Sequence, residues 1–322
     1  MNLGKIITAM ITPMKAVENS RISGNHVEID YDSAQKLAVH LIKHGSDGLV
    51  LSGTTGEAPT VHREEKAQLI EKIQDALNTS FPNRSVNIIA GVGSNDTEHT
   101  INNSLDAKEL KVSALLVVSP YYSRPSQKGI FEHYKEVASV ADMPVIVYDV
   151  PSRSGVKIEP ETYLKLAEIP NVVAIKDATG NAYQAYKTKL ATDKVRADLG
   201  LEQLLLYCGD DSLLLPFLSF GATGIISVAS HICAQEFKKV VDSFENADPA
   251  TARKHFEKTV TAIDVANGIG QQAAMMKAAM QQLGIIPERT MRLPNIAVDD
   301  EQMCELSRKL QKITGNRLKC QN

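Results

Sequence analysis

The sequence predicts an α/β fold, a (β/α)8 TIM barrel followed by a C-terminal helical segment. Eight short, continuously apolar runs alternate with segments whose apolar residues recur at helical spacing. Continuous apolar runs are typical of parallel strands that are covered on both faces. A strand followed by a helix, repeated in this way, favours closure into a barrel, and a doubly wound sheet is the alternative. After about residue 246 only helical patterns follow.

The predicted strands and helices alternate along the barrel part of the chain. The strands occupy residues 6–11, 48–52, 86–90, 114–118, 144–148, 172–176, 204–207 and 224–228. The helical patterns occupy residues 30–44, 63–77, 97–110, 128–140, 160–168, 181–192, 211–219 and 233–245. In the first of these patterns, Ala34, Leu37 and Leu41 recur at the spacing that lines one face of an α-helix.

Three further helical patterns follow the last strand, at residues 250–266, 271–283 and 299–314. The stretch Asn246-Ala-Asp-Pro249 supplies a helix-start signal, because Asp caps helices and Pro is tolerated in the first turn. We therefore divide the chain into a barrel at 1–246 and a C-terminal helical segment at 247–322. We expect this segment to pack on the barrel or on a neighbouring subunit.

Charge and hydropathy exclude several classes of partner. The formal net charge is -3, from 35 basic and 38 acidic side chains, so neither nucleic acid nor an acidic membrane surface is indicated. No apolar run reaches the length of a membrane span. The first residues lack the charged and long apolar regions of a signal peptide.

The cysteines and histidines do not form metal-ligand patterns. Cys208, Cys233, Cys304 and Cys320 are far apart in the sequence, with no C-x-x-C pair, as is typical of a cytoplasmic protein with reduced thiols. The histidines show no H-E-x-x-H motif. We therefore expect no metal and no metal-dependent mechanism.

Lys176 ends the apolar run Val172-Val-Ala-Ile-Lys176 and is the first candidate catalytic residue. Lysine is rarely buried without a reason, and burial disfavours the charged form of an amine. A neutral amine can attack a carbonyl and form a Schiff base. The alternative is a lysine that extends from the strand end into solvent.

Tyr148 ends the preceding predicted strand, at the level of Lys176. Neighbouring strands lie about 5 Å apart, so the phenol and the amine can meet, and a phenol there can carry protons. Arg153 follows in Tyr148-Asp-Val-Pro-Ser-Arg-Ser-Gly155, where its guanidinium could bind a carboxylate or make a surface ion pair.

Other strand ends carry further candidates, since the active site of this fold lies at the C-terminal ends of the strands. Thr54 and Thr55 lie in Gly53-Thr-Thr-Gly-Glu57, which could hold an anion or form an ordinary turn. Tyr122 lies in Pro120-Tyr-Tyr122, where tyrosines could act chemically or simply pack. Gly209 and the run containing Ile226 allow close backbone approach to a ligand.

These motifs, with Ile175-Lys-Asp-Ala-Thr-Gly180, resemble the Schiff-base aldolase family that includes dihydrodipicolinate synthases and N-acetylneuraminate lyases. The similarity covers nearly the whole chain, from Gly4 to about Leu310. Arg153 favours the synthase branch, because the sugar-acid lyases typically carry an apolar residue there. The resemblance implies condensation of pyruvate with L-aspartate 4-semialdehyde to give 4-hydroxy-tetrahydrodipicolinate, without a cofactor, in a homotetramer built from two tight dimers.

The resemblance also implies the role of each site residue. Lys176 would form the Schiff base, and Tyr148 would move protons together with Thr54 and with Tyr122 of a neighbouring subunit. The substrate contacts would come from Thr55 and Ile226 for pyruvate, Arg153 for the semialdehyde carboxylate, and Gly209 at the barrel mouth.

Two alternatives and one regulatory expectation remain. A lyase for another 2-keto acid, such as N-acetylneuraminate, would share Lys176 and Tyr148, whereas a non-enzymatic regulator would be expected to lack one of them. In relatives that L-lysine inhibits, the effector pocket typically uses a histidine and a glutamate where this chain has Lys66 and His99. We therefore expect weak or absent inhibition by L-lysine, unless Glu98 takes the role of the missing glutamate.

Overall fold

Eight strands close into one parallel barrel in the computed structural model, which confirms the predicted fold class. Around the barrel the strands follow the order β1 (Ile6–Ala9), β10 (Gly224–Ser227), β9 (Leu205–Cys208), β8 (Val172–Asp177), β7 (Val145–Asp149), β6 (Ala114–Val118), β5 (Asn87–Gly91) and β4 (Gly48–Leu51). The structure describes residues 1–17, 27–268 and 271–315. Cys320 and the end of the predicted C-terminal segment lie outside these residues.

The strands and helices follow in chain order. The strands are β1 (Ile6–Ala9), β2 (Met14–Ala16), β3 (Val27–Ile29), β4 (Gly48–Leu51), β5 (Asn87–Gly91), β6 (Ala114–Val118), β7 (Val145–Asp149), β8 (Val172–Asp177), β9 (Leu205–Cys208) and β10 (Gly224–Ser227). The helices are α1 (Tyr31–Lys43), α2 (Arg63–Ser80), α3 (Thr97–Glu109), α4 (Gln127–Ala141), α5 (Pro151–Ser154), α6 (Pro160–Ala167), α7 (Ala182–Asp198), α8 (Leu214–Ser219), α9 (Ser230–Glu245), α10 (Pro249–Glu257), α11 (Val260–Ala266), α12 (Gln272–Gln282) and α13 (Asp300–Thr314), with a 3-10 turn at Asp211–Leu213.

The barrel strands are apolar along their length because both of their faces are covered. Every residue of β1, β4, β7 and β10 is buried. Strands that are buried on both faces read as continuous runs of Val, Ile and Leu, which is the pattern that predicted them.

A short antiparallel hairpin of β2 and β3 was not predicted. Met14 pairs with Ile29 and Lys15 with Glu28. Each strand has only three residues, and Lys15 and Glu28 are exposed. Strands this short, in which polar residues face solvent, leave no apolar run in the sequence.

The first helix predicted after the barrel is two helices in the structure. The pattern at 250–266 is interrupted between α10 and α11 at Thr259, which is fully buried. The Thr259 hydroxyl donates to the carbonyl of Phe256 at 2.7 Å. Local bonds of this kind compete with the helical ladder and are invisible to apolar periodicity.

The chain divides into two compact units. The first comprises Met1–Ile7 and Asn87–Ser227, and the second comprises the described residues of Thr8–Val86 and Val228–Asn322. The first unit contains β5 to β10 with α3 to α8, and the second contains β2 to β4, α1, α2 and α9 to α13. Within the second unit, α10 packs against α9, and α13 packs against α11 and α12.

Candidate active site

Lys176 and Tyr148 are register partners on the neighbouring parallel strands β8 and β7. The Lys176 Nζ lies 4.2 Å from the centroid of the Tyr148 ring. Each residue is only 6% exposed. The structure therefore brings together, at the C-terminal ends of two barrel strands, the amine and the phenol that the sequence singled out.

Tyr207 is the register partner of Lys176 on the other side, in β9. Sequence reasoning did not assign it to the site, although it ends a predicted strand. Its hydroxyl donates to the carbonyl of Gly4 at 2.8 Å, and the residue is fully buried. Because this hydroxyl is already bonded, Tyr148 is the better candidate for a proton carrier.

Two buried carboxyl groups follow Lys176 and Tyr148 in their strands, Asp149 after Tyr148 and Asp177 after Lys176, and they are also in register. Successive residues of a strand point to opposite faces, so these carboxyls lie behind the amine and the phenol. Burial, and more weakly the charge of Asp177, raises the pKa of Asp149 to about 7, against lowering by bonds from Ile158 and Tyr163. The Asp149 carboxylate accepts from the backbone N–H of Ile158 at 3.1 Å and from the Tyr163 hydroxyl at 2.9 Å.

Asp177 is held by the turn that follows its strand. Burial raises the pKa of Asp177, while hydrogen bonds from Thr179 oppose that rise. The carboxylate accepts from the backbone N–H and the hydroxyl of Thr179, at 2.9 and 2.8 Å. The two carboxyls thus tie the ends of β7 and β8 to the segments that follow them.

Gly209 lies against the end of the strand that carries Lys176. Its N–H donates to the carbonyl of Asp177 at 2.7 Å. An added Cβ would come within 2.9 Å of that carbonyl oxygen and of the Ala178 Cβ. Gly209 therefore permits the close packing of β9 on β8. Ile226 is buried within β10, at 1% exposure.

Arg153 and Tyr122 lie on segments that follow two of the strands. Arg153 is exposed on the short helix α5, after β7. Tyr122 follows β6, is 89% exposed and has a left-handed φ of 74°. Its N–H donates to the carbonyl of Ser154 at 3.3 Å, so the two segments are joined through the backbone.

Thr54 and Thr55 lie in the second unit, in the turn that follows β4. Thr54 is exposed and Thr55 is buried. The turn is closed by hydrogen bonds from the Glu57 N–H to the Thr54 carbonyl, 3.1 Å, and from the Ala58 N–H to the Gly53 carbonyl, 3.2 Å. In the sequence Glu57 is only the last residue of this motif, yet its side chain is fully buried in an ion pair with Lys277.

The described residues contain neither a candidate metal cluster nor a candidate membrane span. Within the described ranges, no group of three or more His, Cys, Asp or Glu side chains is placed to hold a metal ion. The three cysteines that the structure covers form no disulfide with one another. Among the helices of the described residues, none has the length and apolar character needed to cross a membrane.

A lysine at the end of a barrel strand, buried against a tyrosine, is the arrangement of a Schiff-base aldolase built on a TIM barrel. The sequence pattern of the dihydrodipicolinate synthetase family matches residues 2–313. The chain therefore belongs to the dihydrodipicolinate synthetase family.

Individual relatives are similar over nearly their full length. The 4-hydroxy-tetrahydrodipicolinate synthase of Bifidobacterium animalis subsp. lactis is 44% identical over 300 residues, which cover 93% of this chain and 90% of the relative. The dihydrodipicolinate synthase DapA-2 of Bacillus anthracis superimposes with a TM-score of 0.85 at 35% identity, covering 97% and 99% of the two chains. The lysine-bound synthase of Cyanidioschyzon merolae gives a TM-score of 0.85 at 34% identity, covering 97% and 98%.

Proposed function

We propose that this protein condenses pyruvate with L-aspartate 4-semialdehyde through a lysine Schiff base, giving 4-hydroxy-tetrahydrodipicolinate. This reaction is the first committed step toward diaminopimelate and lysine. Membership of the synthase family supports the activity. The observation that carries the chemistry is the register pairing of Lys176 with Tyr148, with the amine 4.2 Å from the phenol ring.

Lys176 supplies the nucleophile. Its neutral amine adds to the ketone carbon of pyruvate, and loss of water gives an iminium. The iminium accepts the electron pair that a methyl C–H bond leaves behind, so a proton departs and an enamine forms. The enamine carbon attacks the aldehyde of the second substrate, whose oxygen takes up a proton. The amino group of that substrate then attacks the imine carbon, closes the ring and releases Lys176.

Tyr148 carries the protons of these steps, relayed by the hydroxyls of Thr54 and of Tyr122. A general acid–base group of this kind contributes about 100- to 10,000-fold to the rate. The carboxylate of pyruvate is held by the backbone and hydroxyl of Thr55, beside the backbone of Ile226. No metal or organic cofactor enters the reaction.

Arg153 binds the carboxylate of the semialdehyde. Its guanidinium is exposed just past the strand end of Tyr148, and a planar fork of donors matches a carboxylate. Gly209 contributes its backbone to the substrate site at the barrel mouth, and its lack of a side chain lets β9 pack close to the end of β8.

The functional assembly is a homotetramer, a dimer of two tight dimers, and the protein works in the cytoplasm. The exposure of Tyr122 supports the first part, because an 89% exposed aromatic side chain is available to a second copy of the chain. The absence of paired cysteine spacings in the sequence supports the second part.

Reductive trapping tests the function. The purified protein is incubated with pyruvate and borohydride, digested and analysed by mass spectrometry. In a separate assay, condensation of pyruvate with L-aspartate 4-semialdehyde and cleavage of N-acetylneuraminate are each measured. We expect a stable pyruvate adduct on Lys176, condensation with L-aspartate 4-semialdehyde and no cleavage of N-acetylneuraminate.

Two lysine variants test whether the adduct forms on Lys176 and not on another lysine. Lys176→Ala should lose both the adduct and the activity, while Lys189→Met, on α7, should keep both. An adduct on another lysine would reject the assignment of Lys176, and cleavage of N-acetylneuraminate without condensation would assign the lyase reaction instead.

A further inference from the structure

We propose that Lys277 is a positioning residue for pyruvate, acting through Glu57 on the turn that carries Thr54 and Thr55. This inference rests on the proposed function, in which Thr55 holds the pyruvate carboxylate. It gives the C-terminal helical segment a part in the reaction, because Lys277 lies on α12.

The ion pair between the two side chains is fully buried. The Lys277 Nζ lies 2.5 Å from the Glu57 Oε1, and both side chains are 0% exposed. The same ammonium donates to the carbonyl of Thr290 at 2.7 Å. The other Glu57 oxygen accepts from the side-chain amide of Asn295 at 3.3 Å. Glu57 is thus held from two segments of the C-terminal part of the chain.

The backbone at Glu57 explains why the turn needs such an anchor. Glu57 has a φ of 58° and Ser52 a φ of 55°, so a left-handed, non-glycine residue stands at each end of the turn. This conformation is costly for such residues and persists only where the surroundings enforce it. Between them, Gly56 is packed so closely that an added Cβ would lie 3.1 Å from the carbonyl of Met10.

The segment from Thr290 to Asn295 reinforces the anchor. Besides the contacts with Lys277 and Glu57, it carries Arg292, which forms two hydrogen bonds of 2.6 Å with the Glu65 carboxylate. Arg292 also donates to the carbonyl of Thr60 at 2.8 Å. One charged contact therefore holds the end of the turn, at Glu57, and a second holds the chain that follows it, at Glu65.

A buried ion pair is better suited to fixing geometry than to adding stability. Removing two charges from water offsets most of their attraction, and an apolar pair of equal volume is often as stable. Burial lowers the pKa of Lys277, and the Glu57 carboxylate opposes that shift. The pair fixes the carboxylate, and with it the left-handed backbone three residues after Thr54. We infer that loss of the pair moves Thr55 and weakens pyruvate binding.

The experiment separates binding of pyruvate from binding of the second substrate. Two variants remove the pair, Lys277→Met and the neutral double variant Glu57→Gln with Lys277→Met. We measure the pyruvate concentration that half-saturates borohydride trapping at Lys176, and the KM for each substrate. Pyruvate half-saturation should rise at least about tenfold in both variants, whereas the semialdehyde KM should change by less than about twofold.

Two further variants keep the test decisive. Asn295→Ala removes only the weaker contact to Glu57 and should raise pyruvate half-saturation by a smaller factor. This variant still tests the proposal if the Lys277 variants fail to fold. The matched control is Lys189→Met, because Lys189 forms a 2.8 Å ion pair with Asp193 within helix α7. This control should leave both substrate constants at their wild-type values.

The outcomes divide clearly. A variant that lowers kcat through loss of folded protein, with pyruvate half-saturation unchanged, overturns the positioning role. Equal increases in both KM values overturn it as well. If the wild-type protein fails to trap pyruvate at all, the proposed function itself is rejected, and the positioning role is rejected with it. Trapping by the wild type with unchanged half-saturation in folded variants rejects the positioning role alone.

Discussion

The Lys176 Nζ lies over the ring of Tyr148, 4.2 Å from its centroid, and the two residues are register partners in β8 and β7. The amine therefore faces the aromatic face rather than the phenol oxygen. A positive charge in this position is stabilised by the negative face of the ring. We therefore propose separable roles for the two parts of Tyr148, the ring in packing the amine and the hydroxyl in moving protons.

Replacing Tyr148 with Phe removes the hydroxyl and keeps the ring. We expect kcat to fall about 100- to 10,000-fold, because a positioned proton carrier contributes that much. Thermal stability should change little, and slow trapping of pyruvate at Lys176 should persist. Steady-state kinetics and borohydride trapping measure the two effects.

Tyr207→Phe is the matched control for that variant. Tyr207 is also a register partner of Lys176, but its hydroxyl bonds to the carbonyl of Gly4. We expect loss of about 1 kcal/mol of stability from the missing hydrogen bond and a nearly normal kcat. A similar loss of kcat in both variants would contradict a special role for the Tyr148 hydroxyl.

The barrel could be predicted because its strands are buried on both faces. Strands of this kind leave continuous apolar runs, and the predicted runs match the observed strands apart from small shifts at their ends. The β2–β3 hairpin left no such run, since Lys15 and Glu28 face solvent. The break at Thr259 depends on one hydroxyl bonding one carbonyl, which apolar periodicity does not record.

The arrangement of the candidate site could be predicted where it depends on strand ends, but not where it depends on contacts between segments far apart in the sequence. Lys176 and Tyr148 each end an apolar run, so parallel neighbours bring them to the same level. Glu57 and Lys277 lie at opposite ends of the chain, and nothing local in either segment indicates their pairing. The packing restriction at Gly209 is also visible only in the structure, where an added Cβ would lie 2.9 Å from the carbonyl oxygen of Asp177.

Arg153→Ala should impair the second substrate and spare pyruvate. Loss of a charge-assisted, two-point contact with a carboxylate should cost about 2–4 kcal/mol in kcat/KM for the semialdehyde. Half-saturation of pyruvate trapping should remain near the wild-type value. Arg153→Lys keeps the charge without the planar fork, so its kcat/KM for the semialdehyde should lie between those of the wild type and of Arg153→Ala. Equal loss of affinity for both substrates would argue against this role.

Tyr122 should act in the site of a neighbouring subunit. Tyr148→Phe and Tyr122→Phe chains should each be nearly inactive, because each lacks one hydroxyl of the proton relay. In a mixed dimer one site keeps both tyrosines, so activity should partly return after the two chains are mixed and reassembled. Native mass spectrometry verifies the hybrids. Verified hybrids without recovered activity would place Tyr122 in the site of its own chain.

Asp149 should make stability depend on pH. Its pKa is raised from 3.8 to about 7 in the folded protein, so the folded state holds this proton more tightly than the unfolded state. The contribution of Asp149 to stability therefore falls as pH rises from about 4 to about 7, by an amount on the order of 4 kcal/mol, and is level above that range. Asp149→Asn keeps an acceptor for Tyr163 and should abolish this decline.

Urea unfolding of wild type and variant at pH values of about 5 and 8 measures the difference. Tyr163→Phe is the companion variant, because the Tyr163 hydroxyl donates to Asp149 at 2.9 Å and lowers its pKa. Removing that bond should extend the decline to higher pH. Parallel pH profiles for wild type and Asp149→Asn would show that Asp149 is ionised throughout this range.

L-lysine should inhibit this protein weakly or not at all. A lysine effector carries an ammonium group that needs a carboxylate, and the position expected to supply one here is His99, which is exposed on α3. Lys66 stands on α2 where the inhibited relatives are expected to have a histidine. Burial already lowers the pKa of Lys66. The ammonium group of an L-lysine effector would bring a second positive charge toward this residue, which disfavours binding of the effector.

An initial-rate titration with L-lysine decides the question, and half-inhibition at a submillimolar concentration would contradict the prediction. The double variant Lys66→His with His99→Glu restores the two expected groups and should gain inhibition. Glu98 precedes His99, and its N–H bonds the Asp96 side chain at 3.1 Å in the first turn of α3. If the wild type is inhibited and Glu98→Gln abolishes the effect, Glu98 supplies the missing carboxylate. The electrostatic argument from Lys66 would then be wrong.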